Sequence, residues 1–301
     1  RILFSKFDYF IFEGGVFHLP TWLFVILCRV SGKKALFWTH GFKGFDRGIK
    51  KIIRIFYFKL ANALLLYGNY SKDLMVRNGF DEKKLFVVYN SLDSATQFNL
   101  LENSNPSLIL KHKAEIFANP ELQTIIFIGR LVPAKKIDFL LNAIKELREN
   151  SHPLNCIIIG DGPELPSINA FIEDNKLQNN IHITGALYAE DKICEYFQMS
   201  NLMISPGNVG LNCMHSLAYG VPVLTHDNLQ FHGPEVEAIA PGKTGLLFKH
   251  NSYEDLLAKI KEWNALKLTK EEIKINCQKV ISDKYNPAYQ AEKIITAINS
   301  L

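Results

Sequence analysis

Paired cysteines, clustered histidines and apolar runs of membrane-spanning length are all missing from this chain of 301 residues. The five cysteines, Cys28, Cys156, Cys194, Cys213 and Cys277, are scattered and odd in number. That pattern speaks against a disulfide framework or a zinc ribbon and makes a reducing compartment, the cytoplasm, the simplest expectation. None of the nine histidines stands at metal-ligand spacing, so a histidine-built metal centre is not expected. The longest apolar stretch, around Trp22 to Cys28, stops at Arg29 and is too short to cross a bilayer. No low-complexity tract or internal repeat appears, and 48% hydrophobic residues supply enough material for two packed domains.

Charge is unevenly placed. Residues 1–110 carry 15 Lys/Arg against 8 Asp/Glu, a local excess of +7 within a formal net charge of +4. From Lys43 to Lys59, cations recur at helical spacing beside bulky apolar residues. Two readings stay open: a basic amphipathic helix lying on an anionic membrane, or a core helix with a solvated basic face. Nucleic acid is not expected as a partner, because the aromatics of this region sit at core spacing rather than as a stacking platform.

Short apolar strands alternate with helical patterns along most of the chain, which predicts parallel sheets of the α/β class. Asp8–Phe12, Ala35–Thr39, Ala63–Tyr67 and Leu85–Tyr89 read as strands, with a helix over 48–65. The Asn- and Ser-rich stretch from Asp93 to Pro120 reads as a domain junction. After it, strands at 124–128, 156–159, 181–183 and 202–204 alternate with helices at 137–149, 166–175, 191–199 and 211–219, the pattern of a doubly wound domain. The expected division is a first Rossmann-like domain over 1–110, a second over 111–285 and a terminal helix within 286–301.

Chemistry concentrates between residues 125 and 245. Ile125–Ile128 is followed by Gly129, Arg130 and, after Pro133, Lys135. A strand, a glycine bend and two fixed cations should therefore stand at the carboxyl edge of the sheet, where ligands of open α/β sheets bind. Some seventy residues on, Pro206-Gly207-Asn208-Val209-Gly210-Leu211 forms a glycine turn between a strand and a helix. Such a turn offers unpaired backbone N–H groups to an anion. One diphosphate could meet both the cations and the turn.

The order Gly-Arg-Leu…Lys, Gly160-Asp161-Gly162-Pro163, the Pro206 to Val223 block and Gly242-Lys243-Thr244-Gly245 resembles the donor-binding domain of retaining GT-B glycosyltransferases of the GT4 family. The likeness covers about residues 120–285. It implies two Rossmann-like domains facing a cleft, with the terminal helix crossing back to the first domain. The first domain is expected to be incomplete at its amino end, since relatives carry further strand–helix units before the position of Asp8–Phe12. The implied activity is transfer of a hexose from a nucleotide diphosphate sugar to a sugar or lipid-linked acceptor with retention, as in surface polysaccharide assembly. No cofactor is implied beyond the donor substrate. A pair of spaced acidic residues that would hold a metal on the diphosphate is missing from the donor region, so metal-independent transfer is expected.

The same likeness assigns candidate residues. Gly129, Arg130 and Lys135 would hold the diphosphate together with the backbone of Asn208, Val209, Gly210 and Leu211, while Leu187 would hold the base through its backbone. Gly160–Pro163 is given no contact. The family places two glutamates eight positions apart, the first facing the transferred sugar and the second the ribose; this chain has Gly207 and His215 there. His215 can still bond a ribose hydroxyl through a ring nitrogen, but nothing beyond backbone can act at 207. Glu235 is then a candidate for approaching the sugar, Asn208 another, and Glu237 best matches the family's later acidic position. A chain that binds donor without turning it over is the alternative. In the first domain, His40 ends a strand where relatives keep a histidine on the donor sugar. Glu13, Gly14-Gly15 and His18 could shape an acceptor pocket, and His226-Asp227 could reach the site or merely form a turn.

Overall fold

The computed structural model describes residues 6–301, so the first five positions of the expected first domain lie outside the described residues. The chain divides into two compact units: the described residues up to Ser91 together with Lys284–Leu301, and Leu92–Asp283.

The first unit is built on a parallel four-stranded sheet in the order β1 (Tyr9–Glu13), β2 (Lys34–Thr39), β3 (Ala63–Leu66) and β4 (Leu85–Val87). Helices α1 (Leu19–Val30), α2 (Gly48–Leu60) and α3 (Asn69–Arg77) connect the strands. One face packs Phe37, Leu64 and Leu66 against Val25, Cys28, Tyr57 and Phe58 of α1 and α2. On the other, Leu36, Leu65 and Val88 meet Ala297, Ile294 and Ile298 of α12 (Pro287–Asn299). β3 is buried at every position, as a parallel strand covered on both faces must be.

The second unit opens with α4 (Ala95–Glu102) and α5 (Pro106–Ile116), where the sequence reads as junction. The polar residues of that stretch are caps and turn formers rather than linker: the Asn105 side chain accepts from the Ser107 N–H beside Pro106, and Asn103 donates back to the Asn99 carbonyl. Gln97 and Ser104 then tie the segment to Glu190 and Gln198 of α8 (Glu190–Gln198). The boundary between units accordingly falls after Ser91, not after residue 110.

Six parallel strands follow: β5 (Thr124–Ile128), β6 (Asn155–Ile159), β7 (Ile181–Gly185), β8 (Leu202–Ser205), β9 (Val223–His226) and β10 (Gly245–Phe248). Their spatial order is β10-β9-β8-β5-β6-β7, that of a doubly wound dinucleotide-binding sheet, and the direction of winding reverses between β5 and β8. Helices α6 (Ile137–Glu149), α7 (Leu165–Asp174), α9 (Leu211–Ala218), α10 (Tyr253–Ala265) and α11 (Lys270–Lys284) complete the unit. α6 shows why it docks: Ile137, Leu140, Leu141, Ile144 and Leu147 form a single buried stripe at helical spacing. At the β5/β8 reversal the two strands pair side by side while the winding turns in opposite directions, and a crevice is expected outside their carboxyl ends.

Candidate functional site

The segments that leave β5 and β8 meet at this crevice. Lys135, at the end of a short 3-10 turn, donates its Nζ to the backbone carbonyl of Asn208 at 2.7 Å, and the Gly207 N–H donates to the Lys135 carbonyl at 3.0 Å. A Cβ at Gly129 would stand 3.7 Å from Lys135 Cε and 3.5 Å from Asn212 Nδ2. Gly129, Lys135, Asn208 and the first turn of α9 are therefore brought together. Burial lowers the pKa of the Lys135 ammonium from its ordinary value, the direction expected of a cation held out of water beside only neutral carbonyl groups. An anionic ligand would relieve that penalty.

Gly207 has no room for any side chain. A Cβ there would lie 2.0 Å from the Ala134 carbonyl oxygen and 2.7 Å from both Lys135 C and Cα. The backbone of the β5 loop fills the space that any side chain at 207 would enter, and glycine is the residue that lets these two loops touch.

Gly210 and Leu211 open α9, so their amides have no partner within the helix and carry its positive end. Leu211 is exposed and Gly210 half-buried. Val209 differs from the expectation. Its side chain is buried and its N–H is already donated to His232 Nδ1 at 3.0 Å, so it is not among the groups that can bind phosphate. Asn208 is exposed, with its carbonyl committed to Lys135.

Arg130 borders an adjoining cavity of about 470 Å³ together with Ile128, Gly129, Asp161, Leu187 and Tyr188. It is exposed, and its guanidinium forms no ion pair among the described residues. The Gly160–Gly162 loop builds the floor: a Cβ at Gly160 would sit 2.0 Å from the Gly129 carbonyl oxygen, and the Leu131 N–H donates to the Asp161 carbonyl at 2.9 Å. Leu187 is half-buried on the opposite wall. Gly129 thus touches both compartments, one containing Lys135 and the other Arg130.

His215 is half-buried on α9, its Nε2 3.8 Å from Glu190 Oε1. The same oxygen accepts from Tyr219 Oη at 2.6 Å and Gln97 Nε2 at 2.7 Å. Sequence reasoning missed Glu190, which lies 25 positions from His215; only the docking of α4 and α8 beside α9 brings these groups together. Burial, reinforced by the carboxylate partner, raises the Tyr219 phenol pKa.

Glu235 is buried, with its carboxylate folded back toward Gly233 and close enough to Cys213 of α9 to raise that thiol's pKa, although burial is the larger cause. Glu237 is half-buried on the same short 3-10 segment. His226 is buried rather than reaching the site: its ring lies tilted against that of His232 at 3.9 Å and 4.4 Å from that of His250. In the first unit, His40 is exposed at the end of β2 with its ring 4.5 Å from Tyr67, and its carbonyl accepts from Ser71 Oγ. Glu13 and His18 pair at 3.5 Å, and the Gly14 N–H donates to the Trp38 carbonyl. Among the described residues, no group of three or more His, Cys, Asp or Glu side chains is arranged to hold a metal ion.

Comparison with known proteins agrees with this geometry. Residues 109–280, more than half of the chain, match the family described as Glycosyl transferases group 1, and the chain belongs to that family. It is similar to the poly(ribitol-phosphate) alpha-N-acetylglucosaminyltransferase of Staphylococcus aureus, 25% identical over 173 residues, which cover 58% of this chain and 34% of that protein. It is also similar to the GDP-mannose-dependent alpha-(1-6)-phosphatidylinositol monomannoside mannosyltransferase of Mycobacterium tuberculosis, 24% identical over 44% of this chain and 36% of that protein. The chain thus spans less than half the length of either relative. Among solved structures, Anabaena Alr3699/HepE in complex with UDP superposes with a TM-score of 0.76 at 17% identity, over 98% of this chain and 79% of that one. At that identity the likeness establishes the fold, which is that of GT-B glycosyltransferases with two Rossmann-like sheets.

Proposed function

We propose that this chain is a glycosyltransferase that moves a hexose from a nucleotide diphosphate sugar to a saccharide or lipid-linked acceptor, with retention of configuration, in surface polysaccharide assembly. The observation that carries the reading is Lys135, held against the Asn208 carbonyl at the β5/β8 reversal and beside the amino end of α9. As the sugar–phosphate bond lengthens, charge builds on the departing diphosphate. Preorganised cations and amides at that point stabilise it more than they stabilise the intact donor.

Within that reading, Lys135 and the Gly210 and Leu211 amides serve one phosphate, Arg130 serves the other, Leu187 borders the base and His215 the ribose. With position 207 closed to side chains, the departing phosphate itself accepts the acceptor's proton on the same face of the sugar. That route needs no protein nucleophile and no metal. His40, exposed at the end of β2, is the sugar-handling candidate that the first unit offers. Glu235 and Glu237 keep an electrostatic role in the second unit, Glu235 from a buried position.

The first unit has a surface that supports action on lipid-linked acceptors. α1 exposes Leu19, Leu23, Ile26 and Val30, and α2 exposes Ile49, Ile52, Ile53 and Phe56 beside Lys50 and Lys59. Such a face suits peripheral contact with an anionic cytoplasmic membrane surface. No helix of the described residues is long and apolar enough to cross one.

The reading is tested by incubating the protein with UDP- and GDP-hexoses and following donor consumption, with the product anomer read by NMR. Turnover that collapses in Arg130→Ala supports it. Tight binding of donor without turnover would instead favour a silent nucleotide-sugar-binding protein.

A further inference from the structure

We infer that His232 is a positioning residue for the diphosphate turn, a neutral imidazole bridge whose two nitrogens hold the backbone of that turn in the orientation that aims the Gly210 and Leu211 amides outward. The inference rests on the proposed donor-binding role of those amides. What suggests it is the set of bonds around Val209, the residue that the sequence placed among the phosphate ligands.

Both backbone groups of Val209 are held by one dipeptide: its N–H donates to His232 Nδ1 at 3.0 Å, and its carbonyl accepts from the Gly233 N–H at 3.0 Å. A backbone N–H can only donate, so Nδ1 must be bare. In a neutral imidazole the proton then sits on Nε2, which faces the His226 carbonyl at 2.8 Å. The bridge therefore joins the turn after β8 to the end of β9. Its ring is buried and packed at a tilt against that of His226, which is buried as well, so water cannot replace either bond. Fixing the Val209 peptide fixes the entry into Gly210 and so the direction of the first amides of α9.

Neutrality follows from the surroundings. Burial is the main cause that lowers the His232 pKa to about 4; His250 and Lys135 lower it further, against the opposing effects of the His226 carbonyl and Asp227. An imidazolium would carry a proton on Nδ1 and lose the Val209 bond. A histidine that merely filled the core would need partners of some kind, but not the backbone of the turn after β8 together with that of the end of β9.

Two substitutions separate the bonds. In His232→Asn the amide oxygen falls near the place of Nδ1 and can keep the Val209 bond; in His232→Gln the amide lies near the place of Nε2 and cannot. The experiment has two arms. Long-range nitrogen–proton correlation on histidine-labelled wild type at neutral pH reads the tautomer, and the Nε2–H form is expected. Observation of the Nδ1–H form or of imidazolium overturns the inference whatever the protein binds. Calorimetric binding of UDP or GDP, whichever is preferred, is then compared with binding of the parent nucleoside, with thermal midpoints recorded in parallel. His232→Gln should weaken the diphosphate about tenfold and leave the nucleoside unchanged, while His232→Asn stays near wild type. Equal weakening of nucleoside and diphosphate, or no weakening in His232→Gln, overturns the inference. Should wild type bind no nucleoside diphosphate, the transferase reading fails separately. The bridge is then decided by the tautomer together with hydrogen exchange at the Val209 amide, which must be faster in His232→Gln than in wild type or His232→Asn.

Discussion

The Lys135 ammonium and the Asn208 carbonyl meet at 2.7 Å although 73 residues separate them in sequence, and that bond draws the loops after β5 and β8 together. The cation is thereby placed before any ligand arrives, which is what makes an electrostatic contribution to the departure of a diphosphate large. Replacing Lys135 with Met keeps much of the stem and removes the charge. We expect kcat/KM for donor to fall by about 100-fold with little change in thermal midpoint; steady-state kinetics on nucleotide diphosphate sugars checks this.

Placing a glutamate at position 207 should disrupt the site rather than extend it. A side chain at Gly207 meets the Ala134 carbonyl and the Lys135 backbone, so Gly207→Glu forces the two loops apart and displaces the ammonium. The expected outcome is a lowered thermal midpoint together with loss of donor binding. Even Gly207→Ala should show both, which calorimetry and thermal unfolding can measure.

Glu190 anchors a small polar cluster beside His215, accepting from Gln97 and Tyr219 while standing 3.8 Å from the imidazole. Its removal leaves Gln97, which is buried, and the Tyr219 hydroxyl without their acceptor, a cost of about 1–3 kcal/mol for each buried group left unpaired. Glu190→Ala is expected to be destabilised. The isosteric Glu190→Gln should keep most of the stability yet raise the KM for donor, because the carboxylate facing His215 is gone. An unchanged donor KM in Glu190→Gln would separate His215 from any role in nucleoside binding.

Stability should depend on pH through the adjoining buried histidines His226 and His232. Burial is the leading cause that holds His226 at about 3 and His232 at about 4, both below the ordinary histidine value, with His232, His250 and Lys136 lowering His226 further. The folded state therefore binds fewer protons than the unfolded chain between about pH 6.5 and pH 3, and stability rises with pH across that window. Each histidine adds a slope of up to about 1.4 kcal/mol per pH unit. Thermal midpoints recorded from pH 7 downward should fall, and the fall should be shallower in His232→Asn.

Much of this was readable in the residues, and what was not has a physical reason. The apolar runs of β5, β6 and β8 and the stripe on α6 announce a buried parallel sheet, since only burial on both faces permits them. Gly129, Lys135 and the 206–211 turn could be placed at one edge because strand ends in a doubly wound sheet share that edge. The helices α4 and α5 were hidden, since Asn and Ser mark helix caps as readily as they mark linkers. The engagement of Val209 was hidden as well: a backbone N–H shows nothing in sequence of what accepts it, and His232 lies 23 residues away. Glu190 escaped for the same reason. On α2 the pattern of cations concealed how much of the exposed face is isoleucine and phenylalanine, because Arg54 turns to Asp46 instead of standing alone.

The most direct measurement is a crystal structure of the protein soaked with UDP and, separately, with GDP. The account predicts a diphosphate at the β5/β8 reversal, one phosphate within hydrogen-bonding distance of Lys135 Nζ and the Gly210 or Leu211 amide, the other reached by the Arg130 guanidinium. A nucleotide bound elsewhere, or one that leaves Lys135 on the Asn208 carbonyl with no phosphate beside it, would contradict it.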